Sequence, residues 1–154
     1  MHPGNMSAAV RVILPIACAW AKRQESWILK TGVPLSEPHR EIAKRLGIAH
    51  PGRIRLSAVP RVPPLNRLVR IAGQKLGIVS DGTIGMTLRY GIFLREDEWG
   101  NLRLLVHELA HVSQYERMGG FYAFLRQYLE ECIKPGYPFG ELEMEAKRAE
   151  LTYG

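Results

Sequence analysis

The chain has only two cysteines, Cys18 and Cys132, among 154 residues, too few for the disulfide framework of a small secreted domain. Both fall in apolar helical patterns, so buried free thiols and a reducing, cytoplasmic setting are expected. An uninterrupted apolar run of about 20 residues, the length a membrane helix needs, is also missing. The nearest approach, Ala8 to Ala21, is interrupted by Arg11 and broken in its middle by Pro15. It reads instead as the start of an amphipathic domain helix continuing through Trp20, Trp27, Ile28 and Leu29 to Thr31-Gly32; the alternative is a targeting or membrane-associating segment. There is no glycine-rich phosphate loop, no internal repeat and no long low-complexity segment. Histidine and aspartate are scarce in a telling place: of His2, His39, His50, His107 and His111 none lies beyond His111, and no aspartate follows Asp97.

What is present centres on Leu104 to Tyr115, where His107-Glu108-Leu109-Ala110-His111 sits inside a continuous helical pattern. Two histidines four apart stand one above the other on a helix face, so their imidazoles can converge on one metal ion. Neutral imidazole is a good zinc ligand, and Glu108 lies beside both, placed to touch water rather than metal, as a general base must. Around the helical wheel Leu102, Leu105, Leu109 and Val112 form an apolar stripe. Leu104, His107, Glu108, His111, Gln114 and Tyr115 share the other side, which would face a cleft. The bland reading is a solvated helix face that happens to carry these residues.

A hydrolytic zinc site takes three protein ligands and leaves one position open. The lack of a downstream histidine argues against a nearby third histidine ligand and turns attention to carboxylates, which are densest in Glu141 to Glu150. There Leu142, Ala146 and Ala149 recur at helical spacing, so a C-terminal helix could pack closely against the motif helix. Glu143 and Glu145 flank that stripe on opposite sides, and periodicity does not choose between them.

The His-Glu-Leu-Ala-His-Val-x-Gln core, with Leu-Glu-x-Glu-Ala about thirty residues further on, resembles the gluzincin group of zinc metallopeptidases. It is most similar to small uncharacterised bacterial domains with His-Glu-Leu-x-His-x-x-Gln motifs, and more distantly to the HtpX and CAAX-processing peptidases. The resemblance covers residues 83 to 150 and implies a zincin core there, with His107, His111 and Glu143 as ligands of Zn2+ and Glu108 as catalyst. In those peptidases the third ligand opens a Glu-x-x-Ala-Asp pattern. Ala146 matches, but Lys147 occupies the aspartate position, which removes the carboxylate expected to buttress a histidine.

The length suits one domain, residues 1–154, with a core of its own. Met1 to Asn5 reads as disordered, and the first eighty residues as a helical part of unknown role. Ser36-Glu37-Pro38 starts a helix that stops at Gly47. Arg53 to Val59 alternates like a half-buried strand, Leu65 to Ala72 reads as a short helix, and Gly85 to Leu94 as one strand before the motif helix. By resemblance that strand rims the cleft and pairs with substrate backbone. Arg95-Glu96-Asp97-Glu98 puts acids at the start of the motif helix, favourable to its dipole. Gly119-Gly120 ends that helix, and Phe121 to Ile133 forms another.

The expected fold is therefore α+β, a single zincin-like domain with several helices around a small mixed sheet, the motif helix and the C-terminal glutamate helix lining the cleft. The expected function is hydrolysis of peptide bonds in a peptide or protein substrate, with Tyr115 and Tyr137 as candidate oxyanion donors and Gln114 as a candidate ligand-orienting residue. The alternative is a zinc-binding, non-catalytic interaction module. A formal charge of +6, with Arg53, Arg55, Arg61, Arg67, Arg70 and Lys75 in the middle third, leaves nucleic acid or an anionic membrane surface open as a partner. A solvated basic surface is the commoner meaning of such scattered charges.

Overall fold

The first helix begins at a serine cap. In the computed structural model, which describes residues 6–77 and 79–154, the Ser7 hydroxyl accepts from the Val10 amide at 3.3 Å and α1 (Ala8–Thr31) runs to Gly32. Met1 to Asn5 lie outside the described residues. Pro15 does not break α1. An interior proline costs a helix about 3 kcal/mol, and the burial of Val10, Leu14, Ala21 and Ile28, each at most 1% exposed, offsets that cost. Among the described residues no helix is long and apolar enough to cross a membrane.

After α1 come β1 (Val33–Pro34), α2 (Glu37–Arg45), β2 (Arg55–Val59), α3 (Arg67–Lys75), β3 (Gly85–Leu88), β4 (Gly91–Arg95), α4 (Leu102–Met118), α5 (Phe121–Glu131) and α6 (Glu141–Tyr153). The fold is α+β: six α-helices, counted among the described residues, around a four-stranded mixed sheet. The sheet order is β1-β2-β4-β3, with β2 and β4 parallel and both outer pairs antiparallel. Ser36 caps α2 and Asn66 caps α3 through their side chains, the latter moving α3 to a later start than the apolar pattern suggests.

The first eighty residues are not an appendage. They supply β1 and β2, so the sheet cannot close without them, and α1 covers it: a Cβ on Gly91 of β4 would lie 3.0 Å from Ile28 Cδ1. The central strand β4 is buried over Gly91 to Leu94 and joins α1 to the helices beyond.

Three local expectations are corrected. Gly85 to Leu94 is a hairpin rather than one strand, turning at Arg89, whose φ of 61° lies in the left-handed region. That conformation is uncommon for a side chain other than glycine, and a buried carboxylate on α1 holds it. Glu25, 4% exposed, accepts from Arg89 Nε and Nη2, each at 2.8 Å, and from the Tyr90 amide at 3.0 Å. Replacing Glu25 by alanine is expected to cost about 2–3 kcal/mol in urea unfolding, since it orphans the buried amide while the half-exposed Arg89 recovers water. A change under about 0.5 kcal/mol would mean the turn holds itself. Second, Glu96 to Glu98 form a separate 3-10 turn, and α4 starts at Leu102 with Asn101 as cap and no acid in its first turn. Gly100, at φ 90°, redirects the chain between them. Third, α4 is not two-faced: Leu104 and Tyr115, read as cleft-facing, are buried, while Leu102 of the expected stripe is exposed. With β3 on one side and α5 and α6 on others, nearly the whole circumference of α4 is covered.

Candidate metal centre

Helix α4 carries His107 and His111 one turn apart, and α6 brings Glu143 to them. His107 Nε2 lies 2.9 Å from Glu143 Oε2, and His111 Nε2 lies 3.0 Å from Glu143 Oε1. One ligand atom from each residue falls within 4.8 Å of the others. Tetrahedral zinc with bonds near 2.0–2.1 Å sets its ligand atoms about 3.3 Å apart, so two imidazole nitrogens and a carboxylate at these separations fit such an ion with small side-chain adjustment. Glu145 points elsewhere, pairing with Arg117 at 3.1 Å on the surface.

The other nitrogens of both rings are tied off. Gln114, wholly buried, donates through Nε2 to the Leu142 carbonyl at 3.0 Å, which turns its Oε1 toward His111 Nδ1 at 2.7 Å. His111 must then carry a proton on Nδ1, so that the Nε2 lone pair is the one a metal would take once the proton shared with Glu143 is displaced. His107 Nδ1 lies 3.0 Å from Glu150 Oε2, which sets the same tautomer. Glu150 thus supplies the buttressing carboxylate that Lys147 was expected to deny, from two turns past Glu143 rather than one. Glu150→Gln is expected to weaken zinc binding by about 10–100-fold, the usual effect of losing such an outer partner. Competition against a chromogenic chelator would measure it, and an unchanged affinity would make the contact incidental.

Glu108 is buried beside the triad, on the β3 side. The Thr87 hydroxyl donates to its Oε2 at 2.7 Å and also lies 2.9 Å from the Glu108 carbonyl oxygen. Gly85 leaves room for the other oxygen: a Cβ there would meet Glu108 Oε1 at 2.7 Å and Leu104 Cδ1 at 2.9 Å. Burial raises the pKa of Glu108 above the ordinary carboxylate value, against the lowering influence of the two histidines.

The electrostatics of the metal-free triad follow from the same contacts. Burial works against charge on His107, but the Glu143 hydrogen bond and the charges of Glu108 and Glu143 outweigh it and raise the ring to about 9. His111 shifts the same way for the same reasons. Burial alone would raise Glu143, yet hydrogen bonds from both rings hold it well below the carboxylate range.

Of the tyrosines singled out in the sequence, Tyr115 is framework. Its hydroxyl donates to the Thr87 carbonyl at 3.2 Å and its ring stacks on Phe124 at 3.8 Å. Tyr137 is half exposed, and burial of its hydroxyl together with the charges of Glu143 and Glu108 pushes its pKa to about 12, so it keeps its proton at any ordinary pH. The tyrosine that touches the triad is Tyr128, donating to Glu143 Oε1 at 2.9 Å. It stands one turn after Phe124 on α5 and stacks on it, a pairing its helical spacing could have suggested. The centre is nearly closed: Glu108, His111 and Glu143 are all buried, and His107 is the most open ligand, its side chain 15% exposed. The face read from the sequence as lining an open cleft is covered, because α5 and α6 close over the side of α4 that carries the histidines.

The chain matches no known family model, no curated protein and no solved structure, so the functional reading rests on the chemistry of these residues.

Proposed function

We propose that the chain is a zinc-dependent metallopeptidase. The observation that carries this reading is the convergence of His107 Nε2, His111 Nε2 and the Glu143 carboxylate, with both Nδ1 atoms already hydrogen-bonded and Glu108 alongside. A structural metal site needs no adjacent base, and a solvated helix face would not bury one. Zinc, when bound, supplies Lewis acidity toward water and toward a carbonyl. Glu108 takes a proton from water and returns it to the departing amine. Thr87 fixes one carboxylate oxygen of Glu108 and Gly85 leaves space around the other. Tyr137, which keeps its proton at any ordinary pH, is the candidate to donate to developing negative charge. β3, at the edge of the sheet, offers a backbone on which an extended peptide can add as a strand.

The test is elemental analysis of the purified wild type beside Glu143→Ala and Glu145→Ala. The expected result is about one zinc per chain, lost with Glu143 and kept with Glu145. No zinc in the wild type after reconstitution would end the proposal.

A second reading, a zinc-binding interaction module without turnover, draws on the near-closure of the centre. It predicts saturating zinc with no hydrolysis across a broad peptide library.

A further inference from the structure

The arginines of the middle third gather where the charge count alone suggests scatter. Arg61, Arg67, Arg70 and Arg95 line one cavity of about 480 Å3, together with Gln74 and Asp81. It lies off the carboxyl ends of the parallel pair: Arg61 follows the end of β2, and Arg95 is the last residue of β4. The zinc ligands are no part of it.

The charges in this cavity are unevenly compensated. Arg95 is neutralised by Asp97, with contacts at 2.6 and 3.0 Å. Asp81 accepts from Gln74 at 2.6 Å. Arg61, Arg67 and Arg70 have no carboxylate within ion-pair distance among the described residues. Three guanidinium charges thus face one carboxylate. Arg70 matters most, because it is only 6% exposed. One of its terminal nitrogens donates to the Pro63 carbonyl, while its Nε is buried with no hydrogen-bond partner. A buried cation without a counter-charge is costly, and a protein surface gains nothing by placing two more arginines beside it. Such an arrangement is explained if the missing counter-charge is a ligand in the cavity that Arg70 helps to line.

We infer that this cavity binds a small organic phosphate, with its phosphate group held by Arg61, Arg67 and Arg70. Guanidinium forks match the oxygens of a phosphate in paired hydrogen bonds, and a cavity of this volume suits a small molecule rather than a polymer. A nucleic-acid backbone would require a continued basic track, whereas these charges converge.

Calorimetric titration of the zinc-loaded protein with glycerol 3-phosphate at fixed ionic strength tests the inference, with citrate and a short DNA duplex as comparison probes. Saturable one-to-one binding with Kd below about 1 mM is expected, weakened about tenfold or more by Arg61→Gln or Arg67→Gln. Both of these side chains are exposed, so the variants should fold and keep their zinc. Arg70→Lys, which retains charge without the fork, should weaken binding comparably. The inference fails if no saturable heat appears, if the two exposed-arginine variants bind as the wild type does, if citrate binds more tightly than the phosphate ester, or if only the duplex binds. Zinc content, read in the same samples, keeps this outcome separate from the fate of the peptidase reading.

Discussion

Glu108→Gln should leave zinc in place and reduce peptide hydrolysis by about 10²–10⁴-fold, the range that a positioned acid or base contributes. The substitution is nearly isosteric. Its amide oxygen can still accept from Thr87, and its amide group occupies the space that Gly85 leaves open, so the fold should tolerate it. What it loses is the capacity to take a proton. Zinc content by elemental analysis and turnover of a fluorogenic peptide library, measured on the same preparation, separate the two effects. Turnover equal to wild type would remove Glu108 as the base. Loss of zinc along with turnover would assign Glu108 a ligand-supporting role instead. Because the buried carboxylate costs stability through desolvation, the glutamine variant should also be at least as stable as the wild type, the pattern of a group retained for function.

The parts of this architecture legible in the sequence are those set by a side chain acting within a few residues. Ser36 caps α2 through an oxygen that reaches the amide three positions on, and Gly119 ends α4 in the left-handed conformation. The pair His107 and His111 belongs to the same class, since one helical turn fixes their relation. Glu143 was reachable only through resemblance. Periodicity left it level with Glu145, and the choice depends on how α6 crosses α4.

Longer-range determinants were not legible. The hairpin turn at Arg89 lacks the Asn-Gly or Asp-Gly signal of tight turns and is held by Glu25, 64 residues earlier. Glu150 shares a face with Glu143, as the spacing of seven allows. Its partner on α4 appears only once the two helices are packed. Gly85 looked like an ordinary strand glycine until the Glu108 carboxylate was seen to occupy the volume of its missing side chain. The basic residues likewise read as scattered because Arg61, Arg70 and Arg95 come from three separate segments.

The stability that zinc confers should grow steeply with pH, and the metal-free protein should show the opposite trend. In the metal-free triad Glu143 is held below its ordinary pKa and both histidines above theirs. The Glu143 contribution is present above the unfolded carboxylate value, near 4.5, and is lost as pH falls through its depressed folded value. The histidine contribution runs the other way. It is full below the unfolded value of 6.5 and is lost as pH rises toward about 9 for His107. Metal-free protein should therefore be most stable between roughly pH 4.5 and 6.5 and should weaken from there to pH 9. Zinc must displace the protons these rings hold, so its apparent affinity should rise about tenfold per pH unit for each proton released, and up to about a hundredfold where both rings are charged. Melting curves with excess chelator and with saturating zinc, taken from pH 5.5 to 9, would separate on the alkaline side and approach each other on the acid side. A zinc-induced shift independent of pH would mean that the metal does not replace protons on His107 and His111, and with that the assignment of these rings as ligands would fall.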